Sequence, residues 1–186
     1  MAKAAKDRMD SLRSRLEMTD EGVVMLDGLR TIILPATVLT AVQGEAERIL
    51  GRGMGPILYA AGEGAGSAIA ARWLARKSGA APTGAALEAV RADVEARGFG
   101  KVEITAIDLA AGTATVRLYR SPYADHATVS GQTACAFPAG FIAGLISGLV
   151  DRPVAGTERV CRASRGPYCE FVAEPAPETV VRKRAA

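Results

Sequence analysis

The amino-acid sequence predicts an α+β fold, with helices packed on an antiparallel sheet. Three observations carry that prediction. Apolar residues recur at helical spacing through most of the first half and at strand spacing through most of the second, and one further helix interrupts the strands. Short turns join the strands directly, and strands do not alternate with helices as βαβ units require. The composition, with 20 glycines and only 5% aromatic residues, suits close approach of backbones. At 186 residues, 49% apolar and 23% charged, the chain has the composition of one globular domain. A domain of this size buries roughly 70% of its unfolded surface.

Leu12 and Leu16, four apart, predict a short helix in an N-terminal segment that we place at residues 1–21. The main domain is expected at residues 22–173. It opens on a hairpin, in which residues 23–26 and 29–34 flank Asp27-Gly28, a pair suited to a type I′ turn. Pro35 ends the hairpin and can open a helix, where its missing N–H costs nothing. Val38, Leu39, Val42, Ala46, Ile49 and Leu50 keep helical spacing up to the Gly51-Arg52-Gly53 break. A second long helix is expected from Pro56 to about Lys77. Residues 78–82 form a linker, and Thr83 is the expected N-cap of a helix that Gly98-Phe99-Gly100 stops. Val102, Ile104 and Ile107 mark one strand and residues 114–119 another, joined at Ala111-Gly112. A helix over about 134–150 and strands around Val160-Cys161 and Phe171-Val172 complete the domain. Residues 174–186, with Pro175, Pro177 and Arg182-Lys183-Arg184, are expected to be a flexible tail.

Charge and composition exclude several functions. A net charge of +3 offers no dense cationic stripe for nucleic acid. The first 20 residues are charged throughout and lack the apolar core of a secretory signal. Residues 127–150 carry no charge, but they begin with a polar, β-prone run and contain Pro138, so no membrane span is expected. Three cysteines leave one unpaired in any disulfide scheme, which favours a reducing, cytoplasmic setting.

Catalytic motifs are absent. The single histidine, His126, follows Asp125 in what is read as a surface loop, and neither a GxSxG nucleophile nor a histidine metalloprotease motif occurs. Gly62-Glu63-Gly64-Ala65-Gly66 lacks the Lys-Ser/Thr of a phosphate loop and reads as a helix face kept small for a neighbour. Gly140, Gly144 and Gly148, four apart beside Ala139, Ala143 and Ser147, predict a tight helix contact within the subunit or across a dimer.

The cysteines say more. Cys161 and Cys169 bracket Gly166-Pro167, a turn signal. If Arg162 faces Tyr168 across a hairpin, Cys161 lies opposite Cys169 with β-carbons about 4.5–5.5 Å apart. That separation suits two thiolates on one metal or a reversible disulfide. Cys135, at the start of the glycine-ridged helix, is the third sulfur. The alternative is three small buried thiols.

Several runs together resemble the 4-vinyl reductase domain family. They include Cys135-Ala-Phe-Pro-Ala-Gly140-Phe141, Arg152-Pro153-Val154, Glu158-Arg-Val-Cys161 and Gly166-Pro-Tyr-Cys169-Glu-Phe-Val. Leu34-Pro35, Ile57-Leu58-Tyr59-Ala60-Ala61-Gly62 and Gly98-Phe99-Gly100 extend the similarity over about residues 22–173. The resemblance implies a fold similar to small subunits of the TRAPP vesicle-tethering complex and a sensory, small-molecule-binding role. It also implies zinc held by Cys135, Cys161 and Cys169, with His126, Glu158 or water as the fourth ligand.

The function expected is therefore a sensor or carrier of a hydrophobic aromatic or tetrapyrrole-like ligand, with Tyr59, Trp73, Phe137 and Phe141 as wall residues. An accessory protein or a 4-vinyl reductase of bacteriochlorophyll biosynthesis is the alternative. A reductase is the weaker form, because no nicotinamide or flavin fingerprint occurs. A dimeric scaffold is the third reading. A homodimer is expected. With no ATPase or helix-turn-helix segment in the sequence, so is a signalling or biosynthetic partner protein.

Overall fold

A computed structural model describes residues 2–76, 84–125 and 134–177. Helix α1 (Ala2–Arg13) leads into a three-stranded antiparallel sheet of β1 (Leu16–Met18), β2 (Val24–Leu26) and β3 (Leu29–Thr31). Asp27 and Gly28 adopt φ of 51° and 73°, the two positive values a type I′ turn requires. The N-terminal helix thus starts and ends earlier than expected. Residues 16–18 join the hairpin as a third strand, with Leu16 opposite the buried Leu26.

Helix α2 (Ala36–Leu50) follows Pro35, and a 3₁₀ turn at Gly51–Gly53 separates it from α3 (Met54–Arg76). Helix α4 (Gly84–Ala96) precedes the main sheet. That sheet holds β4 (Lys101–Asp108), β5 (Thr113–Tyr119), β6 (Val154–Val160) and β7 (Cys169–Pro175), in the antiparallel order β4-β5-β7-β6. Between β5 and β6 lie a four-residue helix, α5 (Pro122–Asp125), and α6 (Ala136–Val150). The expected loop at 121–125 is therefore partly helical, and Pro122, Tyr123 and Ala124 are buried. Strand β7 pairs Glu174 with Ala155 and Pro175 with Val154, so the sheet takes the first two residues assigned to the tail. The linker at 78–82, Thr83 and His126 lie outside the described residues. No described helix is long and apolar enough to cross a membrane.

Helix α6 lies on β6 and β7, with α3 parallel to it on its far side. Their contact consists largely of backbone. A Cβ at Gly140 would sit 2.0 Å from the Tyr59 carbonyl oxygen, and one at Gly144 2.0 Å from that of Glu63. In return, Cβ atoms at Gly62 and Gly66 would sit 2.1 Å from the carbonyl oxygens of Phe137 and Phe141. The small-residue ridge is thus spent within the subunit, and the glycines of the Gly62–Gly66 run fill the role assigned to them. On the opposite side of α6, Gly156 of β6 admits the Ala139 carbonyl, 2.3 Å from where its Cβ would be.

Two alanine substitutions separate this packing constraint from helix propensity. Gly144→Ala should destabilise the fold by about 2–3 kcal/mol in urea unfolding, because backbone has no room to yield. Gly64→Ala, on the same pair of helices but with nothing within 4 Å of its Cβ, should stabilise it by about 0.5–1 kcal/mol.

Candidate functional site

The inner face of the main sheet sets out the site row by row. Val102, Leu118 and Cys169 form one cross-strand row, and Ile104, Val116, Phe171 and Glu158 the next. An ideal strand alternates faces, so Glu158 and Cys161, three apart, would point opposite ways. A bulge between Glu158 and Val160 inserts one residue and restores both to the inner face. The pairing Val160↔Glu170 then carries Cys161 into register with Cys169, as the hairpin reading anticipated. A 3₁₀ turn at Arg162–Ser164, with Arg165 at φ 67°, closes the knuckle, and Gly166 N donates to the Cys161 carbonyl at 2.9 Å.

Cys135 meets this knuckle from the N-cap position of α6. Its Sγ lies 3.5 Å from Cys169 Sγ and 3.6 Å from Ser121 Oγ. One donor atom from each of Cys135, Glu158, Cys161 and Cys169 lies within 4.8 Å of all the others. The three cysteines are free thiols and buried. Glu158 Oε2 accepts from Cys135 N at 3.4 Å, and its Oε1 is buried with no hydrogen-bond partner among the described residues. Zinc–thiolate bonds of about 2.3 Å in a tetrahedron place sulfurs roughly 3.8 Å apart, close to the spacing seen here. Three sulfurs and a carboxylate with an unpartnered oxygen therefore fit a closed, four-coordinate zinc site.

The electrostatics point the same way. Donation to Cys169, burial and the nearby Glu158 carboxylate hold the Cys135 thiol far above its ordinary value, and burial raises Cys161. Cys169, which accepts from Cys135, is lowered. Three sulfurs beside a carboxylate cannot all ionise in this setting without a cation among them.

Beyond the knuckle lies a cavity of about 330 Å³. Its floor is Val102, Ile104, Ala114, Val116, Leu118 and Phe171 of the sheet, and Phe137, Phe141, Ile142 and Leu145 of α6 form one wall. Leu87, Val90 and Val94 of α4 face them. The charged lining residues are already paired. Arg91 binds Glu88 and Glu95, while Asp93 binds Arg97 at 2.7 Å and Arg15 at 2.6 Å. Tyr123 is the remaining polar group of the lining. It stacks on Phe137 with ring centroids 5.6 Å apart, and burial pushes its phenol up to about 12. The cavity and the thiol cluster share one apolar knot, in which Cys135, Cys161 and Cys169 pack with Tyr123, Phe137 and Phe171.

Of the four wall residues expected, Phe137 and Phe141 line the cavity. Tyr59 and Trp73 do not. Tyr59 turns to the sheet, where its hydroxyl accepts from Gly156 N at 2.8 Å, and Trp73 packs against the core cluster around Leu145 and Leu149. Helical spacing marked both as apolar-facing but could not say which neighbour they meet. Tyr123 escaped notice because Ser121-Pro122 reads as a loop, although a buried aromatic beside such a turn is a weak signal in its own right.

Residues 114–175 match the family model of the 4-vinyl reductase domain. None of the curated proteins matches the chain in sequence. Among solved structures, the chain is similar to the phenol-responsive sensory domain of the transcription activator PoxR with phenol. Identity is 23% over 91% of this chain and 89% of that one, with a TM-score of 0.77. It is similar to a trafficking protein particle complex subunit 3 from Naegleria fowleri covalently bound to palmitic acid, at 14% identity, 76% and 95% coverage and TM-score 0.54. It is also similar to a vinyl-4-reductase family protein from Methanocaldococcus jannaschii, at 18%, 92% and 94%, and 0.51. These likenesses show the fold, and the family and fold resemblance read from the sequence is found again in them.

The buried phenol of Tyr123 makes a pH prediction. Its folded-state pKa lies above the unfolded value near 10, so the folded chain holds the proton longer and stability falls as pH rises from 10 through 12. Two units correspond to about 2–3 kcal/mol once both states are ionised. Tyr123→Phe should flatten that part of the stability–pH curve measured by denaturant unfolding.

Proposed function

We propose that this chain is a cytoplasmic sensory or carrier module for a neutral, hydrophobic aromatic molecule, with a structural zinc at the end of its binding cavity. The observation that carries this reading is the apolar hollow between α4, α6 and the sheet, sealed at one end by the thiol cluster. Its charged lining groups are paired, so a charged ligand would meet no spare counter-charge. Its volume of about 330 Å³ lies near the lower end of small-molecule sites, which run from about 300 to 1,000 Å³. An engineered apolar cavity of about 150 Å³ accommodates benzene. One or two aromatic rings therefore suit the space, and four linked pyrroles do not. The family-model match and the likeness to a phenol-responsive sensory domain support a ligand-binding role.

Binding is favoured over the reductase alternative by the wall itself. Tyr123 is the one titratable lining group not held in an ion pair, and its raised pKa suits a neutral hydrogen-bond partner better than a proton relay. Zinc held by Cys135, Glu158, Cys161 and Cys169 would cross-link α6, β6 and β7. With four protein ligands it leaves no open position for substrate.

A panel of toluene, phenol, naphthalene, biphenyl, benzoate and a porphyrin tests the ligand. A true ligand at about 100 times its Kd should add about 2.7 kcal/mol of stability, raising Tm by roughly 5–10 °C. Benzoate and porphyrin should have no effect, and silence across the whole panel would overturn the binding role.

The zinc reading predicts one metal ion per chain by elemental analysis of the purified protein. Cys161→Ser should lower metal content and stability together, the latter by more than about 4 kcal/mol. Glu158→Gln should weaken retention of zinc against a chelator, and unchanged metal content in both variants rejects the site.

A further inference from the structure

Helix α2 is apolar yet unburied. Of its 15 residues only Gln43 is buried, while five large apolar side chains remain exposed. At about 100° per residue, Val38, Val42 and Ile49 fall within about 40° of one another around the helix. Val42 and Ile49 are 64% and 70% exposed. Leu39 and Leu50 widen the stripe toward the Gln43 side. The Ile32-Ile33-Leu34 run enters the helix through Pro35, and both isoleucines are 72% exposed. Together these side chains expose on the order of 900 Å², against about 300–600 Å² for the largest patch on a typical monomer and about 800 Å² per partner in a standard interface.

The margin of the stripe indicates what covers it. Glu45 lies beside the stripe and pairs with Arg48 one turn on, at 2.8 Å. Arg30 is exposed on β3. A membrane-binding face would carry a cationic fringe alone. A two-fold interface sets one patch against itself, so that patch must carry both signs. Glu45 and Arg48 meet that condition. The buried edge of α2 is anchored on the chain's own site, where it packs on α5 and Gln43 Nε2 donates to the Ala134 carbonyl at 3.4 Å. That leaves the apolar stripe as its outward face.

We propose that α2 and the Ile32-Ile33-Leu34 run form the face on which a second copy of this chain docks. This does not depend on the ligand or zinc readings. It moves the expected homodimer contact away from the Gly140–Gly148 ridge, which α3 already covers.

Light scattering on the full chain after size exclusion tests the proposal. The wild-type protein should have twice the chain mass, and the Val42→Glu/Ile49→Glu double variant should run as a monomer with the wild-type circular dichroism spectrum. Both side chains are exposed in the single chain, so the charges should not disturb its fold. If the variant nevertheless unfolds, hydrogen exchange on the wild type decides: α2 amides should be slower at high protein concentration than on dilution. A monomeric wild type, a variant that remains dimeric, or α2 exchange independent of concentration would each overturn the proposal. So would a monomer that sediments with phosphatidylcholine/phosphatidylglycerol vesicles, which would assign the face to lipid.

Discussion

The close parallel packing of α3 against α6 is the constraint on which the site depends. Because Gly62 and Gly66 interlock with Gly140 and Gly144, the two helices meet backbone to backbone, and α6 fits between α3 and the sheet. Gly156 makes the same concession on the sheet side. Contact distances this short bring Cα–H groups against carbonyl oxygens, a weak but repeated attraction that side chains would forbid. Everything at the head of α6 inherits its position from that seam. Cys135 reaches the hairpin cysteines, and Phe137 and Phe141 reach the cavity.

A second device of comparable weight is the bulge in β6. A regular strand would present either Glu158 or Cys161 to the interior, never both. One extra residue changes the parity, and the ladder resumes so that Cys161 faces Cys169. The outward residues of the same stretch remain solvent groups, with Arg159 paired to Glu174 on the exposed side. The result is an oxygen and three sulfurs gathered from two strands and a helix cap. Short-range geometry supplies two of the sulfurs, and the remaining donors arrive through tertiary placement.

Cavity and cluster are one construction. Tyr123 and Phe137 stack where the two meet, and Phe171 lies in the floor of one and the packing of the other. Asp125, at the end of α5, binds Arg162 in the knuckle at 2.9 Å and Arg120 at 3.0 Å. The short helix carrying Tyr123 is thereby tied to the loop carrying the cysteines. Helix α2 rests on that same short helix, so its outward apolar stripe is mechanically close to the binding chamber.

Most of the fold was legible in residue order, because turns, strands and helices obey local rules. Asp27-Gly28 specified its turn, Pro35 its helix start and Gly51-Arg52-Gly53 the break between helices. The facing of Cys161 and Cys169 followed from hairpin arithmetic, since the turn lies within nine residues. Local rules failed where an outcome depended on partners distant in the chain. Whether the glycine ridge faced inward or toward another subunit, whether Tyr59 met a ligand or the Gly156 amide, and whether Glu158 joined the sulfurs were each decided by contacts across scores of residues. A strand's period shows two faces and a helix's period shows a stripe, but neither shows what lies opposite. That information resides in the packing of α6 against its neighbours.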